Sequence, residues 1–269
     1  MPPIADVAVI ILIRDELIHI RRCLERLAPL RPRQVFVVDS PSTDGGDRVA
    51  AEMGATVVAH AYPGNQADQF NWALDHLPIT AKWVLRLDAD EYLSEGLIAE
   101  IRAFVAAPPE DVLLVRFPLG RVWMGRRVRF GVGRIEIPRL LRFGRVRYAA
   151  GSLMDERFAV EGGRVIAFRH EFVDDNLNTF DWWRRKHLGY AEREARQALK
   201  GGGRKAAYYR LPPYLRALAY WGYRYFLRLG FLDGRAGWSW NFWQGLWYRW
   251  TVDRRIRELK AGDNVGARH

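Results

Sequence analysis

Four short apolar runs, separated by segments with helical spacing, govern the first ninety residues. Residues 7–13, 33–39, 56–59 and 83–87 are brief and rich in β-branched or aromatic side chains, as strands buried on both faces of a sheet are. Between them, residues 16–27, 44–53 and 66–77 space their apolar positions as helices do, with Ser42 and Thr43 as candidate N-caps for the second. Strands alternating with helices dictate parallel pairing through right-handed crossovers. After Pro108 the rhythm changes: residues 112–117, 122–130, 137–143 and 159–168 look like strands joined by turns, and residues 178–199 read as one long helix. The expected architecture is α/β, with a mostly parallel central sheet flanked by helices.

Carboxylates gather where the strands end. Asp15 and Glu16 follow the first run, Asp39 closes the second, and Asp88-Ala89-Asp90-Glu91 closes the fourth. The carboxyl ends of parallel strands are where such sheets bind ligands. Paired oxygen ligands suit Mg²⁺ or Mn²⁺ better than zinc. A divalent metal held by two acids would neutralise a diphosphate and stabilise it as a leaving group. The phosphate loops of other nucleotide enzymes are missing: there is no GxxxxGK[ST] sequence, and Gly131-Val132-Gly133 lacks the third glycine of GxGxxG.

The motifs VAVIILIRDE (7–16), VFVVDSPSTDG (35–45), QFNWAL (69–74) and WVLRLDADE (83–91) occur in this order. Together they resemble glycosyltransferase family 2, inverting enzymes of the GT-A fold, and within it the bacterial branch that builds lipopolysaccharide core, capsule or exopolysaccharide. The resemblance continues through MDER (154–157), His170-Glu171 and WxxKHLGY (183–190), and weakly into GFLDG (230–234). It implies a donor site in which Asp39 binds the base of a nucleotide-diphosphate sugar, with uridine diphosphate the expected carrier. Ile13, Arg14, Asp15 and Glu16 would line base and ribose, and Gln69 would lie near the donor. Asp88, with Ala89 beside it, would face ribose and sugar. Asp90 would hold the metal, with Asp88 and His170 as further ligands, and Lys186 and His187 would reach the leaving diphosphate. Glu156 falls where the family places its catalytic base. Relatives often carry His before it, where this chain has Asp155. Adjacent residues on a strand point to opposite faces, so only one can serve, and Glu156 is preferred. Asp15 replaces a customary Asn, adding a charge for which Arg14 is a candidate partner.

The charge divides unevenly. Of the net +11, residues 201–269 carry +9, from thirteen Lys and Arg against four Asp and Glu, together with 6 of the 11 Trp and 7 of the 11 Tyr. Residues 1–200 are therefore expected to form the catalytic domain (1–107 for the nucleotide, 108–200 for the acceptor), and 204–269 a basic, aromatic helical tail, the two parted by Gly201-Gly202-Gly203. In residues 213–232, Leu215, Leu218, Trp221, Tyr225, Phe226, Leu229 and Leu232 share one side at helical spacing, with Arg216, Arg224 and Arg228 opposite. Trp240, Trp243, Trp247 and Trp250 form a second stripe. Residues 213–250 thus suit an anionic membrane surface; packing on the catalytic core or a homo-oligomer is the competing use. Stacking on single-stranded nucleic acid is disfavoured by the near-neutral first 200 residues, and a non-catalytic sugar-binding scaffold by the intact acids. No leader or spanning segment stands out, so the expected location is the inner face of the bacterial cytoplasmic membrane. Cys23 lies in the apolar stripe of its helix, and His19, His60 and His76 show no ligand spacing.

Overall fold

The computed structural model describes residues 4–149, 158–199 and 212–266. The chain divides into two compact units, one of Met1–Arg121 with Arg134–Leu177, the other of Val122–Gly133 with Asn178–His269. The long helix expected to close the catalytic domain therefore falls in the second unit.

In the first unit, β1 (Ala5–Ile13), β2 (Pro32–Asp39), β3 (Thr56–Ala59) and β4 (Trp83–Asp88) pair in parallel in the order β3-β2-β1-β4. β1 shows why its sequence is apolar throughout. Val7, Val9, Ile11 and Ile13 pack with Ile20, Leu24 and Leu27 of α1 (Leu17–Leu27) and Ile98 and Ile101 of α4 (Glu95–Ala106). Ala8 and Ile10 face the other way, onto Phe70, Ala73 and Leu77 at α3 (Gln66–His76). Each fully buried Val or Ile contributes roughly 1.5–3 kcal/mol of transfer free energy, so neither face tolerates a polar residue without a partner. The short α2 (Gly46–Glu52) follows β2.

Beyond β4 the sheet becomes mixed. β8 (Glu136–Arg142) pairs antiparallel to both β4 and β6 (Val112–Trp123). β12 (Phe172–Asp174) runs parallel to β6, and β5 (Glu91–Leu93) antiparallel to β12. β11 (Arg164–Ala167) pairs with β6, while β9 (Val146–Tyr148) and β10 (Phe158–Val160) form a separate ribbon. The sheet is thus wholly parallel from β3 to β4 and mixed beyond, where β11 and β12 still run parallel to β6. Helix α4 was not anticipated from the sequence, although Ser94 caps it by accepting from Leu97 N–H at 3.2 Å.

The second unit starts with a hairpin from the end of β6 to β7 (Arg126–Val128), turned by Met124 and Gly125, both at positive φ. Helix α5 (Phe180–Leu199) packs on α8 (Tyr248–Gly266) through Ala191, Ala195, Val252 and Ile256. Between them lie α6 (Pro213–Gly222) and α7 (Gly234–Trp240), each followed by a π-helical stretch, Tyr223–Leu227 and Asn241–Trp247. The GFLDG stretch is a structural joint. A Cβ on Gly230 would stand 2.4 Å from the buried Asn241 side chain, and Asp233 accepts from the N–H groups of Arg129 and Phe130, both at 2.8 Å.

Of the expected Trp stripe, one member is buried here and two are half-buried against aromatics of this unit. Trp240 is buried against Trp123 (rings 5.2 Å apart), Trp243 lies 4.7 Å from Phe180, and Trp247 lies 6.0 Å from Trp183; Trp250 alone of the four is exposed. Among the described residues no helix is long and apolar enough to cross a membrane.

Candidate active site

Strand register assembles the acids. Ile13 pairs with Asp39 and Leu12 with Asp88, so Asp39, the Arg14–Glu16 loop and Asp88 share one carboxyl edge of β2-β1-β4. With neighbouring strands about 4.8 Å apart, Asp39 and Asp88 stand about 10 Å from each other across β1, a span suited to a nucleoside diphosphate.

The loops after β1 and β2 are fastened together. Asp15, at φ 56, donates its N–H to Ser42 Oγ (2.9 Å) and accepts from Thr43 N–H (2.8 Å) and Thr43 Oγ (3.1 Å). The Thr43 N–H holds the Asp15 carboxyl below its ordinary range, and Arg14 adds only a lesser coulombic pull. The charge that the sequence paired with Arg14 is thus taken chiefly by Thr43. Asp44 reaches across to accept from Leu17 N–H at 2.8 Å, capping α1 from another loop, and from Gly46 N–H at 2.9 Å. Ser42 and Thr43 are not the caps of α2. Ser42 instead serves Asp39, donating its hydroxyl (2.5 Å) and its N–H (3.2 Å).

Asp39 is buried at the end of β2, and Gln69 is buried beside it. Gln69 donates to Ser40 Oγ at 2.8 Å, and no donor among the described residues reaches its Oε1. Glu16 and His19 belong to a support: His19, fully buried, links Glu16 (2.5 Å) to Leu177 N–H (2.9 Å).

At the second acid corner, Asp88 lies between two buried arginines, Arg86 at 3.5 Å on one carboxylate oxygen and Arg139 at 3.4 Å on the other. Arg86 also bonds Gln66 (2.9 Å) and the Tyr148 hydroxyl. Glu91, left without a role by its sequence position, is a buried brace: it accepts from Asp88 N–H at 3.0 Å and pairs with Arg139. Burial pushes the Glu91 carboxyl well above its ordinary range, and Arg139 offsets this only in part. Ala89 is buried within the turn. Asp90 is half-buried; one oxygen accepts from Asn176 at 2.8 Å, and its carbonyl accepts from Asp175 N–H at 3.0 Å. Asn176, Arg139 and Arg86 were missed in the sequence. A charge inside each apolar run (Trp83-Val-Leu-Arg86-Leu, Ile137-Pro-Arg139-Leu-Leu) is the signal that could have found two of them.

His170 requires a correction as a metal ligand. Phe172 pairs with Leu93 and Asp174 with Glu91, so His170 precedes the start of β12, at the opposite end of that strand pair from Asp90. There its ring meets Glu100 at 2.9 Å and fills the space beside Gly96. Lys186 and His187 belong to the second unit. Lys186 lies 4.6 Å from the Trp182 ring centre, and His187 stacks on Trp183 with Nδ1 on the Trp183 carbonyl and Nε2 on Gln244, both at 2.9 Å. Asp155 and Glu156 lie outside the described residues. Cys23 is buried, directs its thiol at the Asp88 carbonyl (3.8 Å), and burial pushes that thiol far up, which excludes a nucleophilic role.

No three His, Cys, Asp or Glu side chains among the described residues are arranged to enclose a metal. The donor set still fits a hard divalent cation. Asp90 offers a carboxylate at the rim with one oxygen held by Asn176, and Mg²⁺ or Mn²⁺ needs only one or two carboxylates when phosphate oxygens and water complete its shell.

The Arg139 brace is testable. Arg139→Met leaves buried Glu91 without its counter-charge and is expected to cost about 3–5 kcal/mol in chemical denaturation. Without Arg139 the Glu91 carboxyl moves further up. A raised folded-state value gives stability that is present at low pH and lost as pH rises through it, so the deficit should widen as pH rises through the range in which Glu91 of the wild type ionises. A deficit independent of pH would refute the brace.

The model of the family described as glycosyl transferase family 2 matches residues 8–172. A mannosyltransferase from Pyrobaculum calidifontis, solved in complex with GDP-Man and Mn²⁺, is similar over 96% of this chain and 76% of its own, at 17% identity and a TM-score of 0.51. Glucosyl-3-phosphoglycerate synthase from Mycobacterium tuberculosis, solved with Mn²⁺, UDP and glucosyl-3-phosphoglycerate, matches at 19% identity and a TM-score of 0.37. That match covers 43% of this chain and 44% of the synthase, so the chain spans less than half the length of this relative. The same synthase has been solved with Mg²⁺ and UDP. The fold is that of the GT-A glycosyltransferases, an α/β sheet with flanking helices.

Proposed function

The chain belongs to glycosyl transferase family 2, and on that premise we propose that it transfers a sugar from a nucleotide-diphosphate donor to a hydroxyl of a glycan or lipid-linked acceptor, with inversion at the anomeric carbon. The observation that carries this reading is the common edge holding Asp39, the Arg14–Glu16 loop and Asp88, with Asp90 one turn beyond. Asp39 and Gln69 form the base end, Ser40 and Ser42 fixing their side chains. The backbone of the Arg14–Glu16 loop lines the ribose, since the Asp15 carboxylate is already committed to Thr43. Asp88, steadied by Arg86 and Arg139, accepts hydroxyl protons of ribose and sugar.

Asp90 would hold Mg²⁺ or Mn²⁺, which supplies charge neutralisation of the diphosphate. Glu156, with Asp155 as the alternative, takes the proton of the acceptor hydroxyl as its oxygen bonds to the anomeric carbon. The bond from that carbon to the phosphate oxygen breaks, and the nucleoside diphosphate leaves. The proposed setting is bacterial cell-surface polysaccharide or lipopolysaccharide synthesis on the cytoplasmic face of the membrane. The motifs that resemble that branch support it.

The test is thermal shift with donor hydrolysis across UDP- and GDP-sugars, each with Mn²⁺, Mg²⁺ or chelator. A matching donor at a hundred times its Kd should stabilise by about 2.7 kcal/mol, a rise of roughly 5–10 °C for a chain of this size, and only with metal. Stabilisation by no nucleotide would sink the reading.

A further inference from the structure

Helix α6 and the turns after it are packed the opposite way from a helix in water. Two of their three arginines point in: Arg216 is 4% exposed and bonded to Asp253 of α8 (2.9 Å from Nε), and Arg224, also 4% exposed, donates to the Gly131 carbonyl at 3.0 Å. Their apolar side chains point out. Leu215 is 58% exposed, Phe226 57% and Leu227 75%, with Leu218, Phe231 and Leu232 beside them. Sequence periodicity grouped Leu215, Leu218, Phe226, Leu229 and Leu232, all exposed, but set Arg228 with Arg216 and Arg224, although Arg228 is exposed. So many exposed apolar side chains on one short segment mark an interaction surface.

The charge around the face chooses its occupant. Tyr214, Tyr223 and Trp238, amphipathic rings suited to a polar–apolar boundary, are exposed with it, as are Arg228 and Arg235. The one acid in residues 212–250 is Asp233, whose carboxylate oxygen is taken by two backbone N–H groups. A symmetric contact with a second copy would set this arginine rim against its own image, with no carboxylate to answer it. Anionic lipid headgroups answer it directly, and acyl chains accept the leucines and phenylalanines.

We propose that the 214–238 face of the second unit seats in the headgroup region of an anionic bilayer, with Leu215, Leu218, Phe226 and Leu227 entering the acyl boundary. Such a face lies in the interface plane at a depth of roughly 5–10 Å, without a spanning helix. It is the α6 segment, not the Trp240–Trp247 stripe, that meets lipid. The surface stands by itself; only its link to a lipid-presented acceptor rests on the transferase reading.

The full chain should be floated with vesicles of phosphatidylcholine alone and of phosphatidylcholine with phosphatidylglycerol, at low and high NaCl. Wild type should float with the anionic vesicles, and salt should weaken the association without abolishing it. L218Q/F226Q/L227Q alters only exposed positions; it should keep its melting temperature and donor hydrolysis and partition about tenfold less or worse. R228Q/R235Q should bind more weakly and lose salt sensitivity. Asp90→Asn should float like wild type, so loss of donor chemistry is separable from loss of the surface. Absence of wild-type flotation, or flotation untouched by the triple substitution, would overturn the proposal. So would a concentration-dependent dimer in light scattering that the triple substitution dissolves, since the face would then belong to a second copy.

Discussion

Replacing Asp90 by Asn is expected to remove the metal's contribution to donor binding, so that the nucleotide-sugar Kd in Mn²⁺ rises to the value measured in chelator. The geometry makes this substitution clean. Asp90 already accepts from the Asn176 side-chain amide, and an Asn at position 90 keeps that bond through its carbonyl oxygen. Its NH₂ then turns to where the metal would sit, replacing an anionic ligand by a donor. Loss of one charged ligand and of the neutralisation it permits removes several kcal/mol of leaving-group stabilisation, so transfer should fall about 10²–10³-fold. Because Asp90 is partly exposed and pairs with no buried cation among the described residues, the ligand-free protein should unfold within about 0.5 kcal/mol of wild type. Isothermal titration with and without Mn²⁺, beside single-turnover transfer, reads both quantities. Tight metal-dependent binding by the variant would move the metal role to another residue. Asp88→Asn makes a useful contrast: it strips charge from between Arg86 and Arg139 and should lower stability as well as activity.

The second large effect is expected at Glu156. Glu156→Gln removes the proton acceptor for the attacking hydroxyl while keeping the size of the side chain. A positioned base contributes about 10²–10⁴-fold, so transfer should fall by that factor while donor affinity stays unchanged. The split between binding and rate separates this variant from Asp90→Asn. Asp155→Asn is the companion: if it, and not Glu156→Gln, stops transfer, the base is one residue earlier. Wild-type transfer by both variants would remove the base from this segment altogether.

The parallel half of the sheet was legible because strands buried in its middle leave dense apolar runs, as β1 and β4 do, and because β2 and the more exposed β3 keep β-branched runs between helical segments. Acids at the ends of those runs were legible for the same reason, since a parallel sheet aligns its carboxyl ends. The β5–β12 ribbon was not. Three-residue strands such as Phe172–Asp174 are too short to show a period, and their pairing, which carries Asn176 to Asp90, is a tertiary fact. Arg139 likewise meets Asp88 and Glu91 from a strand about fifty residues away in sequence. The tail shows a different shortfall. Helical spacing says which residues share a face, not which face is buried; Arg216 is buried because Asp253, 37 residues on, receives it. Of the Trp stripe, Trp240 is buried and Trp243 and Trp247 are half-buried against aromatics of the second unit, which is the packing use the sequence had left open beside lipid.

The stitching of the β1 and β2 loops has a mechanical consequence. Four hydrogen bonds tie Asp15 to Ser42 and Thr43, and Leu17 to Asp44. The two loops behave as one rigid jaw, because neither can swing without tearing bonds to the other. A donor entering this corner meets a preformed surface there. Whatever yields to admit the sugar has to hinge in another part of the chain.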